Sequence, residues 1–145
     1  MTENAPSSLR PVTVVVHVML AAMFFLFAWL QQNDLDPAIY DKPSALDAAL
    51  WLAFYAVIGA MFVGSLFRRI PIWLLLVAAV GCLAEMAVTG PGLYENVFGG
   101  KDFTMTQASM SAEDPRVELT REFFGAVIAL LGVGILLRRE RRRAK

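Results

Sequence analysis

Seven oxygen-bearing side chains sit where apolar segments begin, end or are interrupted. Gln32, Asn33, Asp34 and Asp36 close one apolar run, Glu85 breaks another, and Glu118 and Glu122 open a third. An ionisable group inside such a segment costs a few kcal/mol by insertion scales, which makes it a functional candidate by default. Carboxylates and amides offering only oxygen would suit a hard cation such as Ca²⁺ or Mg²⁺, or a relay of protons. Arg121 stands between Glu118 and Glu122 and can pair with either. In that case the same residues form a structural collar that ties helices together without chemistry. Both readings stay open on the residues alone. Trp51 and Tyr55, spaced i and i+4, share one helical face and would wall such a site.

Other chemistries find little support. There is no Ser–His, Cys–His, haem-pair or phosphate-loop pattern, so no catalytic residue and no cofactor is expected, and a resident metal is left undetermined. The lone His17 reads best as a histidine hydrogen-bonded between helices, and the lone Cys82 as a small packing residue. Met105 and Met110, with no His or Cys nearby, read as loop packing rather than a soft-metal site.

The elements that must hold these groups are membrane spans. The chain has 145 residues, 57% hydrophobic and 18% charged, more apolar and less charged than a water-soluble domain. A bilayer core of ~30 Å needs roughly 20 apolar residues in a helix. Segments near residues 11–31, 46–67, 71–89 and 117–138 meet that length, giving one all-α domain, a four-helix transmembrane bundle. Residues 90–114 form an outer loop and residues 138–145 a basic tail. Pro11, Pro71 and Pro115 suit first helical turns. Asp114 precedes the last helix as an N-cap, and Ser44 with Asp47 reads as a capping box. Gly90-Pro91-Gly92 is expected to stop the third helix. The first span is expected to be retained, since no small-residue cleavage site precedes Gln31. Ala56, Ala60 and Gly64 on the second helix, and Gly125 and Ala129 on the fourth, make small-residue ridges for close packing or for a homo-oligomer.

Charge sorts the ends. One side carries Arg10, Arg68, Arg69 and the tail cations, nine basic groups against Glu3 and Glu140; the other carries four basic groups against eleven acids. The positive-inside rule then puts both termini in the cytoplasm, N-in and C-in, with the plasma membrane as the expected location. Arg138, Arg139, Arg141, Arg142, Arg143 and Lys145 either anchor that topology or contact anionic lipid headgroups. With the tail directly against a span and no aromatic residues interleaved, no nucleic-acid partner is expected. Depth follows from counting. Glu85 lies fourteen residues after Pro71, about 21 Å of rise, and Glu122 lies fifteen before Leu137, about 22 Å. Equal depth would let them share one outer pocket with Asn33, Asp34 and Glu118.

The stretch Phe24-Phe25-Leu26-Phe27-Ala28-Trp29-Leu30-Gln31-Gln32-Asn33-Asp34-Leu35-Asp36, followed by Trp51 and Tyr55, resembles the opening of the transmembrane protein 220 family. In that family a first span runs into Gln-x-Asn-Asp-Pro-Asp and a second is rich in Trp and Tyr. On this likeness Gln31 or Gln32, Asn33, Asp34 and Asp36 take the motif positions. Glu118, Arg121, Glu122 and Gly125 resemble the family's acidic start of the last span. Leu35 replaces the motif's Pro, with Pro37 following Asp36 instead, and residues 90–114 have no aligned counterpart. The resemblance implies the four-helix layout and the motif, and carries no settled activity. The expected function is a non-enzymatic small membrane protein, a subunit or assembly factor of a membrane complex. The alternative is a cation-binding or proton-relaying module built on the collar.

Overall fold

The computed structural model describes residues 11–37, 43–102 and 113–144. Arg10, Met105, Met110 and Lys145 lie outside them. The described residues form an all-α, four-helix bundle: α1 (Pro11–Leu30), running on into a 3₁₀ segment (Gln31–Leu35), α2 (Ala45–Phe67), α3 (Ile72–Phe98) and α4 (Arg116–Arg143). All four helices are long and apolar enough to cross a membrane. Only 17% of the most apolar window of α3 is buried inside the bundle, and Val77, Val80, Leu83 and Val88 point outward. Apolar surface all round a helix is what lipid rather than water accommodates. The chain is an integral, multi-pass membrane protein.

Local chemistry sets the helix starts. Ser44 takes an extended conformation and its hydroxyl accepts from the Asp47 N–H at 3.3 Å, capping α2. At α4 the capping position is Pro115, one residue later than expected. Asp114 still serves that helix: it accepts from the Arg116 N–H at 3.4 Å, and from the Arg116 guanidinium at 2.8 and 2.6 Å. Those side-chain bonds hold the Asp114 carboxyl down at about 2. The pair therefore contributes above the ordinary carboxylate range near ~3.9, and its contribution fades as the pH falls towards 2.

Helices α1 and α2 pack as one antiparallel pair, α3 and α4 as another, and α2 also touches α4. At the centre Phe24 stacks on Phe62, ring centroids 5.8 Å apart. A side chain at Gly132 would begin 2.9 Å from the Phe24 ring, so this glycine lets α4 come down on both rings. The packing face of α4 is Ala126, Ala129, Gly132, Val133 and Leu136, all buried. Ala129 thus belongs to the seam, whereas Ala60 of the expected α2 ridge faces outward and Ile58, Gly59, Phe62 and Ser65 pack instead.

Two ends differ from expectation. Helix α3 does not stop at Gly90-Pro91-Gly92 but continues to Phe98 with Pro91 inside it. Tertiary contacts outweigh the local breakers there. Gly92 is buried against Leu119, where a Cβ would overlap the leucine. One turn further, Asn96 donates to the Thr120 hydroxyl at 3.1 Å, and both side chains are buried. Helix α4 likewise runs past residue 138 to Arg143. Its last turn is held by Arg69, which donates to the Arg143 carbonyl, and by the Arg143–Glu140 ion pair at 3.0 Å.

Gly92→Ala should therefore force the α3–α4 seam apart and cost about 1–3 kcal/mol, the usual range for overpacking. Gly134 meets nothing within 4 Å, so Gly134→Ala is the matched control. Melting temperatures in detergent should fall for the first and hold or rise for the second. Equal values would show that the seam yields freely.

Candidate functional site

The antiparallel pairs put Arg68, Arg69 and the arginines that end α4 at one end of the bundle, the basic end, and Asp34, Asp47, Glu118 and Glu122 together with Arg116 and Arg121 at the other, called here the acidic end. At the acidic end a cavity of about 410 Å³ lies between α1 with its 3₁₀ segment, α2 and α4. Asn33 and Asp34 reach it from the 3₁₀ segment, Trp51 and Tyr55 from α2, and Arg121 and Glu122 from α4. Phe27, Leu30, Phe124 and Ile128 form its apolar side.

Each contribution has a local cause. The chain tightens from α-helix to 3₁₀ at Gln31, where the Gln31 amide donates back to the Phe27 carbonyl at 3.1 Å. That turn brings Asp34 inward, only 7% exposed. Trp51 and Tyr55 stack at 5.3 Å, and Phe27 meets Tyr55 edge-on at 5.5 Å. The Tyr55 hydroxyl lies where a side chain on Gly125 would begin. Glycine at 125 is what admits the phenol.

Not every expected residue joins this group. Gln31, not Gln32, lines the cavity; Gln32 and Asp36 are exposed, and Glu118 is half-buried off the cavity. Glu85 lines a separate space of about 250 Å³ with Asp47, Leu50, Phe54 and Gly81, and Trp51 is the wall common to both. The equal-depth expectation is corrected here. Contacts of Gly90 with Phe123, Gly92 with Leu119 and Asn96 with Thr120 fix the α3–α4 register. In that register Glu85 lies about six residues, ~9 Å at 1.5 Å per residue, nearer the basic end than Glu122. Counting from Leu137 failed because α4 continues another turn and a half.

Sequence reasoning gave Asp47 only a capping role and left Gln31 and Gln32 as alternatives for one motif position. The helical phase of Phe24, Phe27 and Ala28 carries the signal for Gln31, since residue 31 falls on the same face as 24, 27 and 28. Among the described residues no three His, Cys, Asp or Glu side chains converge as a metal-binding group.

The basic end is organised by the phase of α4. Arg139 turns inward and donates to the Ser65 hydroxyl at 2.9 Å, while Arg143 donates to the Arg68 carbonyl at 3.4 Å. Arg138, Arg141 and Arg142 instead border an outward-facing groove with Gly134 and Leu137. His17 is buried against the edge of Phe62, but its Nδ1 donates to the Thr13 carbonyl of its own helix at 2.8 Å. The expected bond between helices is not made at that nitrogen. Cys82 is fully buried in the core.

Residues 23–138 match the family model described as transmembrane family 220, helix. No curated protein and no solved structure matches the chain.

The contact between Tyr55 and Gly125 can be tested by a double-mutant cycle. Gly125→Ala should lower the melting temperature, because the added methyl meets the phenol oxygen. Adding Tyr55→Phe removes that oxygen, and the next ring atom stands 3.5 Å away. The double variant should recover most of the loss, with a coupling energy of about 1 kcal/mol or more. Strict additivity would place the hydroxyl elsewhere.

Proposed function

Because the chain belongs to transmembrane family 220, we propose that it is a non-catalytic binding module of the bilayer whose cavity at the acidic end takes a small organic cation. The observation that carries this reading is the cavity lining itself. Asp34 and Glu122 face a single guanidinium, Arg121, beside the stacked Trp51 and Tyr55. Two carboxyl groups and one guanidinium thus line it beside the aromatic pair. Aromatic faces attract a cation by about 0.5–2 kcal/mol, more when it is desolvated. Calcium and magnesium need six or more oxygen ligands, and the described residues gather no matching carboxylate set. An ammonium group asks for less: a carboxylate, a few acceptors and an aromatic wall.

The charge sorting supports an orientation with both termini cytoplasmic and this cavity facing outward. In a Cys82→Ser background, Gly100→Cys should react with an impermeant thiol reagent in sealed cells, and Ala144→Cys should react only after permeabilisation. The reverse pattern would invert the assignment.

Binding is read by thermal stability of the purified full-length protein. Ethanolamine at a hundredfold excess over its Kd should stabilise by about 2.7 kcal/mol. Asp34→Asn and Glu122→Gln should abolish that rise, whereas Glu85→Gln should keep it. A rise with Ca²⁺ but not with ethanolamine, or one that survives both site variants, would overturn the reading.

A further inference from the structure

Helix α4 ends in two sets of arginines, and only one of them is tied into the bundle. Arg139 and Arg143 bond inward to Ser65, Arg68 and Glu140. Arg138, Arg141 and Arg142 are exposed and line an outward groove of about 320 Å³ with Gly134 and Leu137. Arg141 and Arg142 stand three and four residues beyond Arg138, so each is its neighbour on the helix surface, about 5–6 Å away between Cβ atoms. Gly134 lies one turn before Arg138, and a Cβ there would meet nothing within 4 Å, so the floor of the groove is open.

Charge balance decides what the groove takes. Glu140 is the only carboxyl side chain after Glu122, and it is buried and paired with Arg143 at 3.0 Å. The carbonyls that end α4 restore roughly half a negative charge, against three full positive charges on the outward face. The excess calls for an anion, and guanidinium groups donate paired, charge-assisted hydrogen bonds to phosphate. The apolar surface beside the groove decides where that phosphate comes from. Leu131 and Ile135 are 65% and 43% exposed. They stand seven residues, about two turns, before Arg138 and Arg142 and so share their stripe. Along this stripe the surface changes from hydrocarbon to guanidinium within one turn, as a phospholipid changes from acyl chain to phosphate. We propose that the groove is a binding site for the headgroup of one anionic phospholipid, with an acyl chain lying along Leu131 and Ile135. A zwitterionic headgroup would bring a positive charge of its own towards three others, which like-charge repulsion disfavours. The site is separate from the cavity at the acidic end and does not depend on the cation reading.

The full-length protein in nonionic detergent is titrated with short-chain phosphatidylglycerol, short-chain phosphatidylcholine or inorganic phosphate. Thermal stability and lipid retention by native mass spectrometry are the readouts, each variant compared with its own lipid-free state. Phosphatidylglycerol should stabilise and be retained at about tenfold or more lower concentration than either of the others. Arg138→Ala and Arg142→Ala should each raise the phosphatidylglycerol concentration needed by about tenfold. Arg68→Ala is the control, because it removes one charge at the same end from an exposed side chain off the groove and keeps the carbonyl that Arg143 uses. Salt screens such exposed charges, so it should shift the requirement by less than about twofold. Equal losses from Arg68→Ala and from the groove variants would mean diffuse attraction to the basic end and would overturn the site. An equal response to phosphatidylcholine would overturn it too, as would an equal response to inorganic phosphate. No response to phosphatidylglycerol would do the same.

Discussion

The Phe24 ring lies on Phe62 and fills the space that a side chain at Gly132 would need. This contact between α1, α2 and α4 is where the two antiparallel helix pairs become one bundle. In a bilayer there is no water to drive helices together, so association depends on close van der Waals fit. A glycine opposite two stacked rings provides such a fit at one level only. Towards the acidic end α1 and α4 part and leave the cavity. Towards the basic end the space closes, and polar groups make the ties there: Arg139 to Ser65, Arg143 to Arg68 and Glu140.

That arrangement gives α4 two different faces in its last turns. Arg139 and Arg143, four residues apart, face inward and bond to α2 and to the segment after it. Arg138, Arg141 and Arg142 fall on the opposite phase and stay outward beside Leu137. A composition-based view treats all of them as one basic tail. The helix separates them into bundle contacts and surface cations, because neighbours one position apart diverge by about 100°. Arg139→Ala and Arg142→Ala are therefore not equivalent substitutions, although both remove one positive charge.

The spans were legible in the sequence because bilayer thickness imposes a length, and the run from Pro11 to Leu30 meets it without a charge. The polar residues of the cavity were legible for the same reason: Asn33, Asp34 and Glu122 stand out against apolar surroundings. What local sequence does not carry is the shape of a distant partner. Gly90-Pro91-Gly92 has the composition of a stop, yet Gly92 is the notch that receives Leu119, and helix α3 continues. The depth of Glu85 was misjudged because the end of α4 was set by loss of apolarity at Arg138. The structure ends the helix by contacts of Arg143. Gln31 and Gln32 differ only by helical phase, which needs the packing face of α1 to resolve.

The cavity itself sets a last constraint. It is open at its rim, where Asn33 and Arg121 are exposed, and along its flank, where Leu30, Phe124 and Ile128 are exposed, so it is a cleft in the surface of the bundle and not a sealed void. Its polar rim, with Asp34, Asn33 and Arg121, has partners for water, but Leu30, Phe124 and Ile128 offer water nothing. That flank suits the hydrocarbon of a bilayer better than water. Tyr55 and Gly125 keep the space from collapsing: the phenol stands in the notch of the glycine, and its stack on Trp51 braces the wall. Small residues that elsewhere bring helices together here make room for a rigid aromatic spacer, so the same physics that closes the bundle at Gly132 holds it open at Gly125.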